Sequence, residues 1–230
     1  MSDRLETEQR LIEATKRIMV THGVEGCTLE RITEAAGFTR GAFYSNFRSK
    51  EELFVAVAED EYAAGIKRIQ EFGTQWATRM AEHPLPKPLT GEIVAYIFAD
   101  ALRSFLDHMR LNREFFILHS EFMIRSARVP DWAALFAEIN RQFVIALAQV
   151  LHTIVDSLGL QFTHTAEAVA QAVIGIVLRA NGIASWAQVR EQDTLASTAF
   201  GRRTGSSVAL EVTELIVPLL LGCTKQQGDL

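Results

Sequence analysis

Cysteine is nearly missing from this chain: Cys27 and Cys223 stand at opposite ends, outside any CxxC pair or zinc-ligand spacing. A disulfide-stapled fold and a cysteine metal site are thereby excluded, and both residues are expected as reduced, buried thiols. Catalytic signatures are missing too. There is no GxSxG, no P-loop and no HExxH, and His22, His83, His108, His119, His152 and His164 are scattered without ligand spacing. An enzyme is disfavoured, and no cofactor and no metal are expected. No uninterrupted apolar run approaches the roughly 18 residues of a membrane span; the best, Leu215 to Leu221, is short and broken by Pro218. Met1 to Arg10 mixes acids with arginines and lacks the apolar segment of a signal peptide. A cytoplasmic protein with no membrane partner is the expectation. Convincing strand alternation, internal repeats and low-complexity tracts are also lacking.

What is present is helical periodicity. Nearly half of the 230 residues are hydrophobic and 22% are charged, the balance of a globular chain of two domains. Apolar residues at 11, 14, 15, 18 and 19 predict a first helix over 4–22, stopped by Gly23. Thr28 is suited to cap a second, two-turn helix that turns Leu29, Ile32, Ala35 and Ala36 inward and ends at Gly37. Thr39 caps a third short helix, and Ser49 with Glu52 forms a capping box that starts a long fourth helix reaching about Arg79. The segment from His83 to Pro88 holds three of the five prolines and breaks it. Further helices are predicted over 90–110, 112–127, 130–158, 165–190 and 206–221, with Gly201–Ser207 as a polar connection. The fold class is all-α: an N-terminal three-helix domain over 1–50 and a larger helical bundle over 51–230.

Net charge is −5, yet Thr39 to Lys50 carries Arg40, Arg48 and Lys50 with no acid, a small basic island. Residues 28–47 fit a helix-turn-helix, two short helices about a glycine turn, the second narrow enough for the major groove of B-DNA. Phe38, Phe43 and Phe47, with Ile32 and Ala36, form its small core. Arg40, Gly41, Ala42, Tyr44, Ser45 and Asn46 are left mostly outward. Arg40 has the fork for a guanine edge and Asn46 the amide for adenine, while Gly41 and Ala42 allow close approach or contact with a thymine methyl. Tyr44 is assigned to a phosphate; Thr28, Thr39 and Lys50 stand at helix starts, where free amides and the dipole favour phosphate oxygens. The run TLERITEAAGFTRGAFYSNFRSKEELF, Thr28 to Phe54, resembles the DNA-binding signature of the TetR (tetracycline repressor) family, over about residues 8–55. The resemblance implies a nine- or ten-helix Ω-shaped homodimer, a DNA-reading third helix, double-stranded operator DNA as partner, and repression relieved by a small-molecule effector.

The remaining chain is rich in aromatics at helical spacing, most of them core. His119, Arg179 and Asn181 lie in otherwise apolar helices, and with Phe105, Phe116 and Phe122 they are the candidate effector site for a small apolar or aromatic molecule bearing an anionic or carbonyl group. Apolar stripes with many small residues, Ala172, Gly175, Ile176, Ala180, Ile183 and Ala184, then Val208, Val212, Leu215, Ile216 and Leu219, suit a homodimer interface made by the last two helices. A helical adaptor that binds only protein remains the rival to a DNA reader, separated from it by retardation of the upstream DNA.

Overall fold

In a computed structural model of the protein, residues 2–85, 89–109, 112–192 and 205–227 are described. Nine α-helices occur among them: α1 (Ser2–His22), α2 (Leu29–Ala36), α3 (Arg40–Tyr44), α4 (Lys50–Glu82), α5 (Gly91–Met109), α6 (Arg113–Arg128), α7 (Pro130–Ser157), α8 (Ala166–Gln192) and α9 (Gly205–Gly222). The all-α class holds, with helix ends within a few residues of those predicted.

Two features depart from expectation. A 3-10 turn, Val24–Gly26, fills the α1–α2 junction, and strands β1 (Leu160–Phe162) and β2 (Thr224–Gln226) pair antiparallel. Three residues are too short for alternation to register, and only closure by Thr163 N–H on Cys223 O (2.8 Å) and Gln227 N–H on Gly159 O (3.0 Å) makes the pairing. Of the expected connection over Gly201–Ser207, residues 201–204 lie outside the described residues, and 205–207 already belong to α9.

By compactness the chain forms two units. The first comprises residues 1–64 and 114–141, and so contains the 1–50 segment together with α6 and the start of α7. Its core begins with Leu11, Met19, Ile32, Phe43, Leu53 and Phe54. Lys16 ties α1 to α4 by ion pairs with Glu61 and with Asp60 (3.6 Å). Burial opposes its charge, but the two carboxylates outweigh that and raise its pKa. Beside them an aromatic layer stacks Trp132 on Phe136 (centroids 6.0 Å apart), with Tyr62 edge-on to Phe136 (5.5 Å) and Phe122 against both Trp132 and Phe136.

The second unit holds residues 65–113 and 142–230. Here α9 packs on α8 and α5, burying Val212, Ile216 and Leu220 together with Phe98, Leu147, Val173 and Val177. Gly73 of α4 lets α7 come close, since a Cβ there would stand 2.8 Å from Val150 Cγ2. By length and apolar composition alone, α7 and the Ala166–Ile183 stretch of α8 are sufficient to cross a membrane, although neither is an uninterrupted apolar run. Core helices share that composition, and 44% and 33% of the two stretches are buried inside the protein.

The expectation of two buried thiols needs one correction. Cys27 is fully buried, and burial, with Lys50 working against it, pushes its thiol up to about 11; Cys223 is only half-buried.

Candidate nucleic-acid interface and apolar cavity

The turn between α2 and α3 is built as its residues require. Thr28 Oγ1 accepts from Arg31 N–H (3.3 Å) and Thr39 Oγ1 from Ala42 N–H (3.2 Å), so each helix start is capped by its own threonine. Gly37 closes α2 at φ 74°, in the left-handed region, and its N–H reaches Glu34 O and Thr33 O. Ile32, Ala36, Phe43 and Phe47 are buried, as expected of the small core. Ala35, expected inward, is exposed; Thr33 takes the inward place and satisfies its hydroxyl on Leu29 O (2.9 Å). Arg10 of α1 lies over the Phe38 ring (4.6 Å) and donates to Ala36 O (2.9 Å), fixing the turn from outside.

The predicted DNA-facing residues divide into two groups. Thr28, Thr39, Arg40, Gly41, Tyr44 and Ser45 are exposed, and Ala42 is half-exposed. Tyr44 keeps 60% of its surface while its ring meets Phe43 edge-on. Gly41 has an ordinary φ, and a Cβ there would meet only Thr39 Oγ1 at 3.7 Å, so the fold places no demand on its small size.

Asn46 and Lys50 differ from expectation. Asn46 Nδ2 donates to Ala42 O (2.8 Å), one turn back, and Oδ1 is buried without a hydrogen-bond partner, so the amide edge is not free for adenine. Lys50 Nζ donates to Cys27 O (3.2 Å), tying the start of α4 to the α1–α2 junction. In the capping box, Glu52 N–H donates to Ser49 Oγ (3.2 Å), but the Glu52 carboxylate accepts from Arg48 N–H, one residue before the expected partner.

Glu30, in the first turn of α2, forms an ion pair with Arg40. Its own backbone amide and then the Arg40 guanidinium hold its carboxyl below the usual range. The basic island is therefore not free of acid in three dimensions. A ten-residue separation in sequence hides this pair; the left-handed turn at Gly37 creates it.

The candidate effector residues fall in both units. Phe105 lines a small cavity of roughly 30 Å³ in the second unit, with Phe98, Leu102, Leu147, Leu151 and Ile216 and six further apolar side chains. Arg179 and Asn181 do not line it: Arg179 is exposed, and Asn181 Nδ2 donates to Val177 O (2.9 Å) within α8. Every lining residue is apolar, which removes the expected match to an anion or carbonyl. Phe116, His119 and Phe122 belong to the first unit. There Phe122 is wholly buried, Phe116 is half-buried, and His119 Nδ1 lies 2.5 Å from the Tyr62 hydroxyl. Burial pushes the His119 imidazole down to about 4 and raises the Tyr62 phenol, so both are neutral at physiological pH. Among the described residues no cluster of His, Cys, Asp or Glu is arranged to hold a metal ion.

Comparison with known proteins agrees with this geometry. Residues 11–57 match the family described as bacterial regulatory proteins, tetR family. The HTH-type transcriptional repressor AcnR of Corynebacterium efficiens is 37% identical over 79 residues, 34% of this chain and 42% of AcnR. The chain thus matches about two-fifths of the length of that relative. Over nearly the whole chain the fold is like that of a TetR-family transcriptional regulator from Mesorhizobium loti, with a TM-score of 0.66, 16% identity and coverage of 95% of this chain and 96% of the other. It is also like FadR from Bacillus subtilis, solved in complex with stearoyl-CoA, with a TM-score of 0.59, 15% identity and coverage of 93% and 97%. Residues 11–57 thus match the DNA-binding domain of the tetR family of bacterial regulatory proteins, and the fold of the chain as a whole is like that of TetR-family regulators.

Proposed function

We propose that the protein is a homodimeric transcriptional repressor of the cytoplasm that grips operator DNA through α3 and releases it when a small apolar molecule fills the cavity of the second unit. The observation that carries this reading is the exposed face of α3: Arg40, Gly41, Tyr44 and Ser45 stand together on a helix whose inner side is anchored by Phe43. In the proposed complex Arg40 reads a guanine edge, Gly41 and Ala42 let the backbone approach, and Tyr44, Thr28 and Thr39 contact phosphates. Asn46 and Lys50 serve there as supports for α3 and α4, with Lys50 turning to a phosphate only by leaving Cys27 O.

For the effector, the wholly apolar lining favours an aliphatic or aromatic hydrocarbon body, because a buried anion with no partner would cost several kcal/mol. AcnR is named a repressor and FadR was solved with stearoyl-CoA; the first supports the sign of regulation and the second the apolar character of the ligand. Reading two half-sites requires two copies of α3 about 34–36 Å apart, which is the physical reason for a dimer. The outward parts of α8 and α9 support the interface: Ala172 and Gly175 are exposed and Leu215 keeps 53% of its surface.

The test is fluorescence anisotropy with labelled DNA from upstream of the gene, at several salt concentrations, without and with the ligand identified by native mass spectrometry of the purified protein. Specific binding that weakens with ligand is expected. Absence of binding to any upstream fragment would overturn the reading and leave the protein-only adaptor.

A further inference from the structure

We propose that Glu121, on α6 and far outside the residues 11–57 that match the DNA-binding family, is a positioning residue for DNA reading, acting through the turn that joins α1 to α2. Val24 N–H opens the 3-10 turn, and an amide at a helix start has no partner in its own helix. The Glu121 carboxylate accepts it at 2.9 Å, across 97 residues of sequence. The fit is close: Gly23 sits at φ 68°, and a Cβ added there would come within 3.3 Å of Glu121 Oε1. Glycine adopts this positive φ without strain and leaves the carboxylate its room.

One turn along α6, Arg125 holds the other end of the reading segment. Its guanidinium lies 5.2 Å from the Phe54 ring and 5.6 Å from the Trp132 ring, and Nη2 is 3.6 Å from Glu51 Oε1 at the start of α4. Residues at i and i+4 share a helix face. That face of α6 therefore holds the chain just before α2 and just after α3, and Lys50 Nζ on Cys27 O ties those two points to each other. The reading helix is suspended between them, so its angle to the DNA depends on an acceptor at position 121.

This rests on the DNA-reading function proposed above, which the wild type tests first: if wild type does not bind its upstream DNA, that reading and this one fall together. With wild type binding, Glu121→Ala, Glu121→Gln and Glu121→Asp are compared for operator affinity, salt dependence and hydrogen exchange at the Val24 amide, with Trp76→Phe as a control that loses the bond to Ser157 (3.1 Å) in the second unit. Glu121→Ala is expected to lose about five- to twentyfold in operator affinity with the salt slope unchanged, since no phosphate contact is removed, and to expose Val24 N–H to exchange. Glu121→Gln keeps an oxygen acceptor at the same reach and restores most of the affinity; Glu121→Asp is too short and does not. Three outcomes overturn the proposal alone: wild-type affinity in Glu121→Ala, unchanged exchange at Val24, or an equal affinity loss in a Trp76→Phe protein matched for loss of Tm.

Discussion

Arg40 shows how much of a side chain's meaning depends on its neighbour. Paired with Glu30 on the surface of the free protein, it must leave that carboxylate to meet a base edge, and so exposed a pair is only weakly held. The exchange is cheap. Arg40→Ala should cost about 1–3 kcal/mol of operator binding and relax preference at one base position per half-site, as read by binding-site selection; an unchanged consensus would show that Arg40 does not read a base. Tyr44→Phe should instead weaken binding to every sequence equally with the salt slope unchanged, because a neutral phenol neutralises no phosphate charge. Lys50→Ala separates two roles. Loss of its bond to Cys27 O should reduce stability by about 1 kcal/mol in urea unfolding. A fall in salt slope occurs in addition only if the ammonium transfers to DNA.

At the scale of elements, α4 and α6 meet through Tyr62 and His119, and this contact has a pH signature. The His119 pKa is lowered from 6.5 to about 4 because burial disfavours the charged ring. In the unfolded chain the imidazole takes up its proton near pH 6.5, so the unfolded state binds more protons between there and about pH 4. Stability is therefore full above about pH 6.5 and is lost as pH falls toward 4, up to about 3 kcal/mol in total. Urea unfolding across that range should show a steeper decline for wild type than for His119→Gln, which keeps an amide beside the Tyr62 hydroxyl; equal slopes would contradict the assignment. Helix α5 carries a second element-scale test. Ala101 is buried and lines the cavity, so Ala101→Phe should fill space that the ligand needs. Ligand affinity should drop tenfold or more in calorimetric titration while operator binding without ligand persists. Full ligand affinity in that variant would move the effector site elsewhere.

For the whole molecule, exposure separates folding from assembly along α9. Leu215 is 53% exposed and Ile216 is wholly buried. Leu215→Asp should fold, elute as a monomer by light scattering and lose operator affinity with the second half-site; Ile216→Asp should fail to fold, because an unpaired buried charge costs more than a domain of this size can lose. A dimeric Leu215→Asp would place the interface on another face. In the proposed mechanism an effector would act by preferring one arrangement of the dimer, and its effect on operator affinity would equal its differential affinity for the two arrangements, tenfold for about 1.4 kcal/mol.

By itself the sequence determined what short-range chemistry determines: nine helices by period, the caps at Thr28 and Thr39, the left-handed stop at Gly37, and a DNA-binding signature over about fifty residues. Each of these acts within a few residues of chain, where steric and hydrogen-bonding rules leave little choice. Tertiary structure decided the rest. It paired Arg40 with Glu30, turned the Asn46 amide back onto α3, and drew Lys50 to Cys27 O. It put His119 and Phe122 in one unit and Phe105 in another, left Arg179 in solvent, and brought Glu121 to Val24. Amphipathic period says which face of a helix is buried but not against what, so a polar residue on an apolar face reads the same whether it meets a ligand, a phenol or its own backbone. Contacts between residues 10 or 97 apart depend on how packed helices close upon one another, and no local rule reports that.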